Sequence, residues 1–518
     1  MISVKLTQQA FWQNNVEGYV IPLKKDLAPL STENLLEHIE EHYYPHLKEL
    51  LKKHQFDGEK GQTFTLTGKK ADTLVQFLFV GVGTMLGSWH QELETFRRAV
   101  AAGILMAKKN YLNDVAIALP AGSIFNISDN ELAKQMAILA HMAIYEFTTF
   151  KTDKKRAPWA GTLFLCPAHP ELVERASSQS EKERAVEVGN IIGAAINQAR
   201  HWADLPANHM TPTVLASEAE RIAIKHGFKA TVFGREKALE LQMGGFCAVD
   251  AGSEQEGKFV VLEYKTKAPN APTIALCGKG VIFDTGGINL KPTSGISGMK
   301  FDMSGAAAVI TVMDIIGQLK PNVNVIGLTP LVENMPSGKA ARPDDVITCM
   351  NGKTVEIQNT DAEGRLILSD TLCYAEKYFK PDVMLDIATL TGAVQHALGH
   401  FYTGVMTKDD ALADALIAMG RKTGDRSWQL PMDDDFKGAI RSDVADIHNN
   451  GSSAYFAGTI VGATFLSNFV EKARWAHLDI AGTAHDVPAI NYVGKGSTGA
   501  GIRLLTEFVM TFTEQAKN

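Results

Sequence analysis

Thr273-Ile-Ala-Leu-Cys-Gly-Lys-Gly-Val-Ile-Phe-Asp-Thr-Gly-Gly-Ile-Asn-Leu-Lys-Pro292 is an apolar strand pattern that runs into glycine-rich turns. Strand candidates of the same kind surround it: Lys258-Phe-Val-Val-Leu-Glu-Tyr264, Asn322-Val-Asn-Val-Ile-Gly-Leu328 and Asp382-Val-Met-Leu-Asp-Ile387. Helical patterns follow most of them. That alternation predicts an α/β/α domain from about residue 204 to 518, with a mixed, mostly parallel sheet covered on both faces. In such sheets ligands gather beyond the carboxyl ends of the strands.

The quoted stretch also carries Lys279, Asp284 and Lys291, and it continues through Met299-Lys-Phe-Asp-Met303, which adds Asp302. Glycines on both sides of Asp284 let the backbone bend tightly and approach a ligand closely. A second cluster is Asn359-Thr-Asp-Ala-Glu-Gly-Arg-Leu366. Its Asp361, Glu363 and Arg365 alternate, so in extended backbone all three point to one side; the run from Leu366 to Tyr378 then reads as a helix. Four carboxylates on loops of a strand-rich domain point to hard metal ligation, with Mg, Mn or Zn favoured over softer ions. Bridging carboxylates can hold two cations about 3.5–4 Å apart, which activates a shared water. The plainer alternatives are an Asp capping local amides in its own turn and an ion-pair ladder along one strand face.

Upstream, a small α/β domain is expected over residues 1–179. Thr73-Leu-Val-Gln-Phe-Leu-Phe-Val80, Asp114-Val-Ala-Ile-Ala-Leu119 and Gly161-Thr-Leu-Phe-Leu-Cys166 read as strands. Helical spacing runs from about His90 to Lys109 and from Asp129, placed as a cap, to about Thr148. An amphipathic stretch at 180–203, with Val188, Ile192, Ala195, Ala199 and Trp202 near one face, reads as a linker helix that Pro206 ends.

At 518 residues the chain exceeds one ordinary hydrophobic core, which agrees with two domains. A net charge of −7 argues against a dedicated nucleic-acid binder. The five cysteines lack zinc-finger or CxxC spacing and suit thiols in a reducing compartment. With no secretory pattern at the start and no apolar run of membrane-spanning length, a cytoplasmic location is expected.

Gly278-Lys-Gly-Val-Ile-Phe-Asp-Thr-Gly-Gly287, Lys291-Pro292, Met299–Met303 and the octapeptide 359–366 closely resemble the signature segments of the leucyl (cytosol) aminopeptidase family. The spacing from Lys279 of five residues to Asp284, twelve to Lys291 and twenty-three to Asp302 also matches. So do Pro206–Pro212, Gly244–Val249, Glu333–Ala340, Asp386–Gly392 and Trp475–Gly482. The resemblance spans roughly residues 180–515. It implies an exopeptidase with two divalent metal ions per subunit (Zn²⁺ or Mn²⁺, with Mg²⁺ or Co²⁺ as alternatives). One ion would take Asp284, Asp361 and Glu363, the other Lys279, Asp284, Asp302 and Glu363. Lys279 would have to be neutral to ligate, and an ion-paired lysine is the competing reading. Lys291 and Arg365 would be the catalytic side chains, the first stabilising an oxyanion and the second holding bicarbonate as proton shuttle. Met299, Thr389, Leu390 and Gly392 would meet the substrate, with Leu and other apolar N-terminal residues preferred. Peptides with a free N-terminus are the implied partners, and a homohexamer the implied assembly. One departure is Ala500-Gly501, where the family often has Arg-Pro.

Other chemistries fit less well. Gly338-Lys339 lacks a following Ser or Thr, and Gly352-Lys353-Thr354 lacks the earlier glycine of a phosphate-cradling loop. There is no Gly-x-Ser-x-Gly elbow, and Cys166, a nucleophile candidate beside His169, ends an apolar strand pattern. An oligomeric scaffold or DNA-binding role, alongside or in place of catalysis, is the alternative from another class.

Overall fold

The computed structural model describes residues 2–515 apart from 8, 31–34, 154–158 and 168–175. His169 lies outside the described residues. The chain folds as two compact units, Met1–Asn197 with Ala489–Gly494, and Gln198–Pro488 with Lys495–Asn518.

The first unit is built on a six-stranded sheet: β1 (Ser3–Leu6), β2 (Gly18–Lys24), β3 (Thr63–Lys70), β4 (Thr73–Gly83), β5 (Asp114–Leu119) and β6 (Thr162–Pro167). Their order is β1-β6-β5-β2-β4-β3. Only the edge strand β3 runs antiparallel to its neighbour. Helix Trp89–Lys109 matches its apolar spacing. The next helix, Asp129–Ile144, is four residues shorter than its pattern, and its cap is not Asp129. Ser128 Oγ accepts from the Glu131 N–H at 3.1 Å instead, while Asp129 Oδ1 accepts from the Gly122 N–H at 2.7 Å. Residue 128 alone has the extended backbone that a cap requires. The long amphipathic stretch is one helix, Ala176–Asp204, and the boundary between the units falls within it.

The second unit holds a nine-stranded sheet. Its strands are β7 (Lys229–Phe233), β8 (Lys258–Tyr264), β9 (Thr273–Gly278), β10 (Gly280–Asp284), β11 (Asn324–Asn334), β14 (Val383–Ala388), β15 (Thr403–Met406), β16 (Ser427–Gln429) and β18 (Arg474–Asp479). A second, three-stranded sheet contains β12 (Val346–Thr348), β13 (Thr354–Glu356) and β17 (Ile447–His448). The main sheet is mixed and mostly parallel, with antiparallel pairing at β7–β8, β8–β11 and β15–β18. All five cysteines are thiols, four of them buried. Cys166 sits in the core of the first unit, where the Asn14 amide donates to its sulfur.

At its carboxyl edge the main sheet divides. β9 is paired with β11 as far as Cys277 and with β14 as far as Gly278, whereas β10 continues along β11 alone. The break is at Lys279: its N–H donates to Ile387 O on β14, and its carbonyl accepts from Ala306 N–H in the helix Ser304–Leu319. β11 runs six residues past its predicted end because β10 pairs with the portion beyond Pro330, a residue that interrupts the strand pattern in sequence.

Two glycines permit this crossing. A Cβ on Gly305 would lie 2.2 Å from Ile387 O, and one on Gly278 would lie 2.4 Å from Gly305 O. Because the obstacle is backbone, Gly305→Ala should lower stability by about 1–3 kcal/mol, read as a reduced urea midpoint; an unchanged midpoint would show that the crossing is looser than drawn.

A buried carboxylate ties the same unit together. Asp370 accepts from Met350 N–H at 2.8 Å and Phe246 N–H at 2.9 Å. Burial pushes its pKa up to about 7, and these N–H groups restrain the rise. The folded state therefore holds this proton more tightly than the unfolded chain, whose Asp titrates near ~4. Its stabilising contribution is complete below that value and lost as pH rises through 7. Thermal midpoints should show wild type losing stability relative to Asp370→Asn over that interval; parallel curves would mean the carboxyl titrates normally.

Candidate metal centre

The split at the carboxyl edge gathers the predicted ligands. Asp284 ends β10 opposite Asn334, and Asp302 lies on the short 3-10 turn Met299–Met303. Glu363 opens the helix Glu363–Phe379. Asp361, Glu363 and Arg365 are therefore not an extended ladder, because the helix starts three residues earlier than its pattern indicated. Glu363 and Arg365 belong to its first turn, and an acidic residue there is favoured by the helix dipole.

Among the described residues, Asp284, Asp361 and Glu363 bring carboxylate oxygens within 4.8 Å of one another. Asp284, Asp302 and Glu363 are all at most 4% exposed. Two ammonium groups stand among them. Lys279 Nζ lies 2.8 Å from Asp302 Oδ2 and 2.8 Å from Glu363 Oε1, and donates to Thr389 O at 2.8 Å. Lys291 Nζ lies 2.8 Å from Asp284 Oδ2 and 2.5 Å from Asp361 Oδ1.

Burial alone would depress Lys279, but Asp302, Glu363 and Asp284 together outweigh it and hold the ammonium above the ordinary lysine value. Lys291 is raised by the same balance, with Asp284 and Glu363 leading. Burial raises Asp302, Glu363 and Asp361, and neighbouring carboxylates add to the effect. In this arrangement the Lys279 ammonium is paired with Asp302 and Glu363. The donor set also fits divalent cations. It is rich in oxygen, and Glu363 Oε2 is buried without a hydrogen-bond partner.

Around the ligands lies a second set of polar groups. Asn334 Nδ2 donates to Asp284 Oδ1 at 2.8 Å and to Thr360 O at 3.1 Å. Asn289 and Thr360 exchange bonds at 2.8–3.0 Å, which locks the loop before Lys291 to the residue before Asp361. Arg365 Nη1 donates to Asn449 O at 2.9 Å, while its buried Nε has no partner.

The predicted substrate residues lie on two segments joined by a hydrogen bond. Thr389 Oγ1 donates to Asp302 Oδ1 at 2.6 Å, three residues beyond the partly exposed Met299. Leu390 N–H donates to Asp479 Oδ1 at 3.2 Å and Thr391 Oγ1 to Asp479 Oδ2 at 2.7 Å, which fixes the turn leading to the exposed Gly392. Asn334 and Asp479 lie within segments that carry the family resemblance, which gives them no role, and Asn449 has no signal in sequence.

The catalytic-domain model of the cytosol aminopeptidase family matches residues 197–506, and its N-terminal-domain model matches residues 20–154. The chain belongs to the cytosol aminopeptidase family. It is a metal-dependent aminopeptidase. Its sequence is 43% identical to a "Probable cytosol aminopeptidase" of Methylibium petroleiphilum, over 81% of this chain and 83% of that protein. A protein with the same description from Rickettsia peacockii is 37% identical over 96% and 97%. Among solved structures, a mutant of tomato leucine aminopeptidase matches with TM-score 0.85 and 30% identity, covering 98% of this chain and 96% of that one. The bottromycin maturation enzyme BotP in complex with Mn matches with TM-score 0.79 and 30% identity, covering 96% and 99%.

One glycine of the aminopeptidase site is tightly constrained. A Cβ on Gly364 would fall 2.7–2.8 Å from Cδ, Cε and Nζ of Lys279. That side chain cannot swing aside without leaving three partners. Gly364→Ala should therefore weaken metal retention and cut turnover by about 10-fold or more, measured by metal analysis after gel filtration and by steady-state kinetics. Full metal and full rate would show that Lys279 has room to move.

Proposed function

We propose that this aminopeptidase removes single, mainly apolar residues such as leucine from peptide N-termini, at a centre that holds two divalent cations. Asp284, Asp361 (by carboxylate and main-chain oxygen) and Glu363 would hold one ion, and Lys279, Asp284, Asp302 and Glu363 the other. The observation that carries this reading is the convergence of the buried Asp284 and Glu363 with the half-buried Asp361, with one Glu363 oxygen lacking any hydrogen-bond partner. When bound, the ions supply an activated water and a polarised scissile carbonyl. They also favour the neutral amine of Lys279, since adjacent positive charge disfavours its ammonium form.

The chain's own residues do the rest. Lys291, partly exposed beside Asp284 and Asp361, stays charged and faces the negative charge that develops on the carbonyl oxygen, a preorganised electrostatic contribution. Arg365 offers a buried N–H without a partner, which supports its binding a small planar anion such as bicarbonate that carries a proton between water and leaving amine. Met299, Thr389 and Gly392 line the side-chain pocket, and the Leu390 carbonyl orients the substrate. Met299 is an adaptable apolar lining, which agrees with a preference for leucine and similar residues.

Zinc or manganese is the proposed occupant, with magnesium or cobalt as alternatives. The manganese complex of BotP supports the second of these. A hexamer acting in the cytoplasm completes the reading. Among the described residues no helix is long and apolar enough to cross a membrane. No feature of the site favours the scaffold or DNA-binding alternative.

Hydrolysis of leucine p-nitroanilide should disappear on chelation, return with Mn²⁺ or Zn²⁺, and fail on the N-acetylated analogue. Activity indifferent to chelation would end the reading. Two substitutions separate the roles. Glu363→Gln should lose metal, with activity down by about 10³-fold or more; near-normal turnover with both metals bound contradicts its ligand assignment. Lys291→Ala should keep both metals by elemental analysis yet lower kcat by about 10²–10³-fold, and loss of metal instead would make Lys291 a structural residue.

A further inference from the structure

β17 is only two residues long, yet it delivers one side chain to the metal centre. Val355 pairs with Ile447 and Glu356 with His448, and Asn449 N–H continues the ladder by donating to Glu356 O at 3.0 Å. Asn449 is wholly buried. Its Oδ1 accepts from Gln358 N–H at 2.9 Å and Asn359 N–H at 3.2 Å. Its Nδ2 donates to Asn359 O at 2.7 Å and Ala362 O at 3.3 Å. The carbonyl of the same residue accepts from Arg365 Nη1 at 2.9 Å.

One amide therefore grips the backbone on both sides of Asp361, and the attached peptide group grips Arg365. Among side chains of this length only a carboxamide both accepts and donates twice. Aspartate would keep the two acceptor bonds and face two carbonyls with no proton to give. Leucine would leave four backbone groups without these partners, a penalty that is largest for the buried bond to Ala362 O. Asp361 itself makes no hydrogen bond that would hold its main chain from the Arg365 side; its N–H reaches back to Asn359 Oδ1 at 2.9 Å. Its chain neighbours are held from outside on both sides: Asn449 grips Gln358, Asn359 and Ala362, while Asn289 and Asn334 bond Thr360.

We propose that Asn449 is a positioning residue of the reaction: it fixes the ligand loop 358–362 and the Arg365 guanidinium in one register, so that the metal-binding and anion-binding halves of the site are aligned together. This inference rests on the reading of the site given above.

The test compares wild type with Asn449→Ser, which keeps the backbone carbonyl for Arg365 but releases the loop. Mn²⁺ affinity is measured by calorimetric titration of the metal-free protein, and kcat and KM for leucine p-nitroanilide at saturating Mn²⁺. Losing an outer partner of a ligand loop should weaken Mn²⁺ binding by about 10–100-fold and lower kcat by a similar factor, while KM changes by less than about 3-fold. Asn449→Asp, tested in the same way, should fall short of wild type in the same two quantities and serves if the serine variant does not fold. Wild-type metal affinity and kcat in a variant with a lowered melting temperature would overturn the proposal, because that is the signature of a purely structural residue. A wild type with no metal-dependent activity would instead sink the reading of the site, a result distinguishable from the first because no variant is needed to obtain it.

Discussion

Everything in the catalytic unit is arranged around an electrostatic problem: several carboxylates that would repel one another are forced into a space with almost no water. Asp284, Asp302 and Glu363 are buried and close; burial penalises the charge on Asp302 and on Glu363, and neighbouring carboxylates penalise it further. Such a cluster persists only with compensating positive charge, because an uncompensated buried ion is among the costliest features a fold can carry. Lys279 and Lys291 give that compensation from opposite sides, the first toward Asp302 and Glu363 and the second toward Asp284 and Asp361. The proposed cations would meet the same demand with higher charge density. The site is thus an acid-rich cradle whose counter-charge comes from two lysines.

The fold makes this cradle by interrupting a strand. Where β9 becomes β10, Lys279 donates its N–H to β14 and gives its carbonyl to a helix, while the chain beyond it follows β11. The sheet parts there, and the lysine side chain enters the gap with Thr389, Asp302 and Glu363 as its partners. Gly278, Gly305 and Gly364 mark the places where no side chain fits between these converging segments. Close contacts at such positions, with backbone at Gly278 and Gly305 and with the Lys279 side chain at Gly364, are the physical reason that these segments are held in place rather than merely brought near.

Sequence reading reached most of this and failed in identifiable places. Strand periodicity located β8, β9 and β14 to within two residues, since their apolar runs are bounded by turns. The glycine-rich clusters singled out Lys279, Asp284, Lys291, Asp302, Asp361 and Glu363, while only the family resemblance suggested their roles. Periodicity missed the end of β11, where Pro330 looks like a terminator, and it misread Asp361–Arg365 as extended. There the period of two was real in composition, but the helix begins at Glu363 and overrode it. Asn334, Asp479 and Asn449 could not be given roles from one sequence. Each acts by satisfying backbone or carboxylate groups far away in the chain, and an asparagine engaged in that way carries no local pattern.

The misread helix start has a consequence for how the site separates charge. Because Glu363 and Arg365 occupy the first turn, the amino end of the helix, with its partial positive charge, faces the centre. Glu363 is stabilised there while it reaches toward the carboxylate cluster. Arg365, burdened by burial and supported electrostatically by Glu363 and Asp479, sits on the same turn with one N–H unspent. Had the segment been a strand, the glutamate and the arginine would have projected side by side into one crowd and paired with each other. The helical turn instead places them about 200° apart around its axis, two residues being roughly half a turn. One residue can then serve the cation-binding half of the site and the other an anion-binding half without neutralising each other. That separation allows a single helix start to support both a cluster of negative charge and a guanidinium that, anchored to the Asn449 carbonyl, keeps its Nε–H free.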